Sequence, residues 1–105
     1  MKDSKTLAVT FSALAHPARV DIFKHLLSTH PSEQNANALV AATGIAPSTL
    51  SHHLREMEKG GVIARRAVGT STLTALDLPN LIEIASTLMT LCCSAQENSN
   101  TEEPE

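Results

Sequence analysis

Gly44 and Pro47 lie close together in the run Thr43-Gly44-Ile45-Ala46-Pro47, and they constrain the fold more than any other feature of the chain. Glycine takes the left-handed conformation that ends a helix without steric cost. Proline fits the first position of a helix, where its missing N–H would have gone unpaired. The two together require a helix that stops near Gly44, a short turn, and a second helix opened by Pro47. Leu39 and Val40 anchor the first of these, over residues 36–42. Leu50, Leu54 and Met57 line one face of the second, which ends at Gly60-Gly61. Its other face offers Ser48, Thr49, Ser51, His52 and Arg55.

The flanking sequence extends this helical pattern. Leu7, Phe11 and Leu14 recur at helical spacing over residues 4–15, and Pro17 opens a helix to about Ser28 with Val20, Phe23, Leu26 and Leu27 on one face. His16, just before Pro17, reads as a cap. Residues 29–35 (THPSEQN) are polar and read as a loop. Beyond Gly60-Gly61, residues 62–68 and 72–76 are rich in β-branched side chains and are separated by Gly69-Thr70, which predicts a β-hairpin. Asp77-Leu78-Pro79 caps a last helix with a very broad apolar surface. The expected fold is mainly α with a β-hairpin wing: one domain over residues 1–93, then a disordered acidic tail over 94–105.

A net charge of −3 argues at first against a polyanionic partner. Four of the eleven carboxylates lie in the last nine residues, however, and the rest of the chain carries eight basic groups against seven acidic ones. Arg55, Lys59, Arg65 and Arg66, with His52 and His53, place half of those basic groups between residues 52 and 66. A local basic face governs phosphate contact more than net charge does. No hydrophobic signal core opens the chain and no apolar run approaches a membrane span, so a cytoplasmic protein with reduced thiols is expected, without a membrane partner.

The helix–glycine turn–helix arrangement suits a helix-turn-helix, in which the first helix braces the second and the second lays small polar residues into the DNA major groove. The same pattern also fits an ordinary pair of core helices with a solvated face. The hairpin that follows supplies a wing, with Arg65 and Arg66 placed to grip the DNA backbone beside the groove.

The chain resembles the ArsR/SmtB-type repressors in three stretches: Leu14-Ala15-His16-Pro17-Ala18-Arg19-Val20-Asp21-Ile22, Thr49-Leu50-Ser51-His52-His53-Leu54 and Glu58-Lys59-Gly60-Gly61-Val62-Ile63. With the hairpin and last helix, the resemblance covers roughly residues 7–92. It implies a winged helix-turn-helix that dimerises through its first and last helices. It also implies a homodimer that occupies an inverted repeat in double-stranded operator DNA and leaves it when an effector binds. Ser48, Thr49, Ser51, His52, Arg55, Arg65 and Arg66 are the expected DNA-binding residues. The wing, residues 68–74, lacks the tyrosines and extra charges often found there, so the grip is expected to rest on Arg65, Arg66 and the recognition helix.

Family members sense metals at two places, and neither is equipped here. The helix before the recognition helix has no cysteine, and the last helix has Glu83 but no histidine. His52 and His53 fall on the DNA helix, where a structural or phosphate-contacting role is expected, and His25 and His30 have no ligand partners at useful spacing. Cys92 and Cys93 remain. Adjacent cysteines suit a disulfide badly, and soft thiolates select thiophilic species. Trivalent arsenic, as arsenite or methylarsenite, fits them, as do antimony and mercury; two thiolates satisfy a methylarsenical, whereas arsenite needs a third donor. Neighbouring helical residues point about 100° apart, so the bridge is expected at a fraying helix end.

The leading expectation is a repressor released from its operator by a trivalent arsenical at Cys92 and Cys93, with no cofactor required. A thiol-redox or persulfide-responsive repressor and a winged-helix protein-interaction module without an operator stand as alternatives. Cys92 also reads simply as a small core residue, with Cys93 its neighbour. The sequence presents no serine–histidine–aspartate set, paired carboxylates or phosphate loop, so no enzyme is expected.

Overall fold

The computed structural model describes residues 2–102, with side chains through residue 97. Asp3 opens α1 (Ser4–Ala13), its carboxylate accepting from the Thr6 amide at 2.9 Å. Pro17 opens α2 (Pro17–Thr29). After β1 (Gln34–Asn35), Asn35 caps α3 (Ala36–Thr43) by accepting from the Ala38 amide at 2.8 Å. Gly44 closes that helix at φ 74°, its N–H donating to the Val40 carbonyl. Pro47 opens α4 (Pro47–Lys59), and the hairpin β2 (Ile63–Val68) and β3 (Ser71–Leu76) leads into α5 (Leu78–Glu102).

The hairpin pairs Ile63 with Leu76 and Val68 with Ser71 across a two-residue turn, Gly69-Thr70, with Gly69 at φ 62°. β1 adds to the outer side of β3, pairing Gln34 with Thr74, so the sheet order is β1-β3-β2. The sequence reads residues 29–35 as loop throughout; a two-residue strand carries no period to detect, and here the partner strand decides the pairing.

Ile22, Leu26, Leu39, Leu50, Leu54, Met57, Val62, Ile63 and Leu76 form one core where α2, α3, α4 and the sheet base meet. The inward face of α2 differs from expectation, whereas α1 leaves Phe11 uncovered, as a helix expected to join two subunits would. On α1 the buried residues are Thr10 and Ala13, while Phe11 is exposed. On α2 they are Arg19, Ile22 and Leu26, while Val20 and Leu27 face outward. The hydrophobic pattern does not distinguish a side chain kept for the core from one kept for a partner.

α5 also departs from expectation. Its run through Ser94 to Glu102 covers most of the stretch read as tail, because neither glycine nor proline interrupts the chain before Pro104; residues 103–105 lie outside the described residues. By length and composition alone its segment Leu78–Glu97, at mean hydropathy 1.3, could cross a membrane, although the sequence shows no continuous apolar run. The helix is nevertheless fastened to the domain. Ile84 and Thr87 are buried, and the Thr87 hydroxyl accepts from the Lys2 amide at 3.2 Å. Ile82, Leu88, Met89 and Leu91 stay exposed. The molecule is elongated, 61 × 23 × 23 Å.

Candidate nucleic-acid interface and thiol pair

α4 separates its residues by side. Leu50, Leu54 and Met57 are buried against the core. Ser48, Thr49, Ser51, His52 and Arg55 are all exposed, on the rest of the helix surface. This division follows from the helical repeat of the apolar positions, and it leaves short polar side chains and one guanidinium outside. Ala46 at the start of α4 contributes no side-chain cap, so the first-turn amides are left for solvent or an incoming anion.

An open recess of about 350 Å³ lies between α4, the start of α3 and the wing, lined by Asn37, Ser51, Arg65, Thr70, Ser71 and Thr72. Sequence reasoning singles out Ser51 and Arg65 from this set but not Asn37 or the wing-tip hydroxyls. These become neighbours only through the β1–β3 pairing and the hairpin turn.

The two wing arginines are engaged by carboxylates. Arg65 donates from Nε and Nη2 to Glu58 Oε1 at 3.0 and 2.8 Å. Arg66 forms a two-pronged contact with Glu33, Nη2 to Oε1 at 2.7 Å and Nε to Oε2 at 2.9 Å. The Arg66 hydrogen bond holds the Glu33 carboxyl below its usual range, and Glu33 raises the Arg66 guanidinium in turn. Arg65 borders the recess beside α4, and Arg66 follows it on β2. Each must exchange a carboxylate for a phosphate to grip DNA.

The adjacent histidines divide. His52 is exposed, whereas His53 turns inward toward α2. Its Nδ1 accepts from Arg19 Nε at 3.0 Å, and its ring centre lies 5.7 Å from that of His16 and 5.9 Å from that of His52. Burial first, then the charges of Arg19, His16 and His52, lower the His53 pKa. His16 caps α2 without a side-chain hydrogen bond; its ring serves this cluster instead. Arg19 is not among the expected site residues, although it belongs to the first matched stretch.

Cys92 and Cys93 are free and exposed. Cys93 lines a shallow groove along α5 with Met89, Thr90 and Glu97, while Cys92 does not. The expected fraying at this point is absent: α5 continues nine residues past Cys93, to Glu102. The pair therefore sits on intact helix, with the two side chains leaving it about 100° apart. Among the described residues no three His, Cys, Asp or Glu side chains are grouped to hold a metal ion.

A helix-turn-helix domain model matches residues 14–66, half of the chain. No curated protein sequence matches. Solved structures do. An ArsR-like transcriptional regulator from a Rhodococcus species superposes at a TM-score of 0.80 with 21% identity, over 92% of this chain and 89% of that one. The homodimeric winged helix-turn-helix DNA-binding domain of a possible ArsR-family regulator from Mycobacterium bovis gives 0.65 with 23% identity, over 100% and 96%. A possible transcriptional regulator for arsenical resistance gives 0.67 with 23% identity, over 91% and 97%. At such identities the likeness is one of fold. The chain belongs to the helix-turn-helix domain family, and its architecture is that of the ArsR-type winged helix-turn-helix regulators.

Proposed function

We propose that the chain is a homodimeric, cytoplasmic transcriptional repressor that binds an inverted repeat in double-stranded DNA and lets go when a trivalent arsenical bridges Cys92 and Cys93. The observation that carries the DNA reading is the division of α4. Its apolar side is locked into the core while Ser48, Thr49, Ser51, His52 and Arg55 stand exposed beside the wing. Such a rigid helix with short polar side chains matches major-groove reading, and Arg65 and Arg66 flank it for backbone contact. The role is regulatory rather than catalytic.

The effector reading is supported by two exposed thiols side by side on α5, whose apolar surface is left uncovered within one chain. Thiolates bind soft trivalent arsenic well. Because the sulfurs diverge on intact helix, one arsenic atom reaches both only if α5 deforms locally. That deformation couples the ligand to the helix that joins two subunits. Two thiolates complete a methylarsenical, which has two exchangeable positions, better than arsenite. An effector releases DNA only by binding the displaced conformer more tightly than the DNA-competent one.

Titration of the DNA complex with arsenite, methylarsenite and peroxide, using wild type, Cys92→Ser and Cys93→Ser, tests this. DNA binding is expected to survive both substitutions and arsenical release to be lost in both, with methylarsenite acting at lower concentration. Release of the serine variants by arsenical removes the pair as sensor. Release by peroxide alone favours a thiol-redox repressor.

A further inference from the structure

Arg19 is a cation with only 6% of its surface exposed, and it takes its acceptors from a ring nitrogen and a carbonyl rather than from a carboxylate. Nε–H donates to His53 Nδ1 at 3.0 Å, and Nη1 donates to the carbonyl of Ala13, the last residue of α1, at 3.4 Å. One side chain of α2 thus joins the end of α1 to the middle of α4. A ring nitrogen accepts only while it lacks a proton, so the contact requires neutral His53 with its proton on Nε2. Protonation would turn an N–H toward an N–H and place a second positive charge against a buried guanidinium.

We propose that His53 is a positioning residue for DNA recognition: its neutral ring pins α4 to Arg19, and mild acid weakens DNA binding by protonating it. The proposal rests on the DNA-binding reading of α4. His53 lies directly beside His52, and any shift of α4 against α2 displaces the exposed row from Ser48 to Arg55. The groups that face the ring are Arg19 and His16 from α2 and its approach, and His52 from α4 itself. Lys5 of α1 and Glu56 and Lys59 of α4 line an open recess together with Arg19.

The sign follows from the lowered pKa. Neutral His53 is the native form, so its contribution is fully present above the unfolded value of 6.5 and is lost as pH falls through 6.5 toward the lower folded value. DNA affinity falls when the folded ring titrates, below 6.5.

The test measures fluorescence anisotropy of a labelled duplex carrying the region upstream of the chain's own gene, at constant ionic strength. Between about pH 7.5 and pH 5 the wild type is expected to lose about tenfold in affinity or more. His53→Asn offers an amide oxygen near the position of Nδ1 and cannot be protonated; it is expected to lose the acid limb, whatever its affinity at neutral pH. An acid limb retained by His53→Asn, or none in wild type, overturns the proposal. Wild type that binds the duplex at no pH overturns the DNA reading itself, and the proposal with it. Should His53→Asn fold poorly, NMR of the wild type decides. The α4 amide resonances must move with the same midpoint as His53 Cε1–H, and independent midpoints refute the link.

Discussion

The side-chain amide of Asn80 donates to the Gly61 carbonyl at 2.8 Å, tying the start of α5 to the second residue past α4. Thr10 of α1 does the same one residue earlier, its hydroxyl donating to the Gly60 carbonyl at 2.8 Å. The two helices expected to form the dimer thus both grip the turn in which α4 ends. Thr10→Val keeps the size but leaves a buried carbonyl unpaired, which costs about 1–3 kcal/mol. Asn80→Ala removes the other link. Both variants are expected to melt earlier than wild type, and Thr10→Val, whose site is the more deeply buried, to lose more. Chemical denaturation checks the order.

Gly60 is required by packing rather than by backbone conformation, since its φ is −83°. A Cβ built there would fall on that of Ala13. Gly60→Ala is expected to cost about 1–3 kcal/mol as an overpacking change. Ala13→Gly opens the space that the new methyl needs. The two substitutions together are therefore expected to destabilise by less than the sum of each alone, and a double-mutant cycle by urea denaturation measures that coupling.

Much of this arrangement is legible in the sequence because local chemistry writes it: Gly44 and Pro47 bracket the turn, and Leu50, Leu54 and Met57 set the inner face of α4. The hairpin is equally visible in Gly69-Thr70. What escapes the sequence is non-local. Arg66 and Glu33 meet from positions 33 residues apart, and nothing near either announces the pair. Arg19 and Thr10 turn inward although polar, because one finds His53 and the other the Gly60 carbonyl. Phe11, Val20 and Leu27 fit the apolar pattern of a core yet lie outside it, since periodicity reports a face but not what covers it.

The ion pairs at the wing carry a prediction about DNA affinity. Glu33 and Glu58 place negative charge beside the arginines expected to meet phosphate. Glu33→Gln and Glu58→Gln remove that charge and free the guanidinium without altering the core. Affinity for the upstream duplex is expected to rise several-fold, and the slope of log affinity against log salt to steepen by about one for each additional phosphate that an arginine engages. Melting temperature is expected to change little, because surface pairs of this kind contribute little to stability. Weaker DNA binding by both variants would place the wing arginines outside the interface.

The exposed surface of α5 sets the last expectation. Ile82 and Met89 are 60% and 62% exposed and lie two helical turns apart, with Leu88 and Leu91 beside them. Val9 and Phe11 leave α1 similarly bare. A lone domain of this size has no reason to hold so many large apolar side chains in water, and a second copy covers them at no cost in new sequence. Met89→Glu and Ile82→Glu place a carboxylate in that surface while leaving Ile84 and Thr87, the buried side of the helix, untouched. A buried unpaired charge is strongly disfavoured. The double variant is expected to sediment as a monomer at concentrations where wild type is a dimer, with its far-ultraviolet circular dichroism unchanged. Its DNA affinity is expected to fall steeply, since one recognition helix then reaches one half-site alone. A double variant that remains dimeric would move the subunit contact away from α5, and with it the route by which a ligand at Cys92 and Cys93 could reach the DNA.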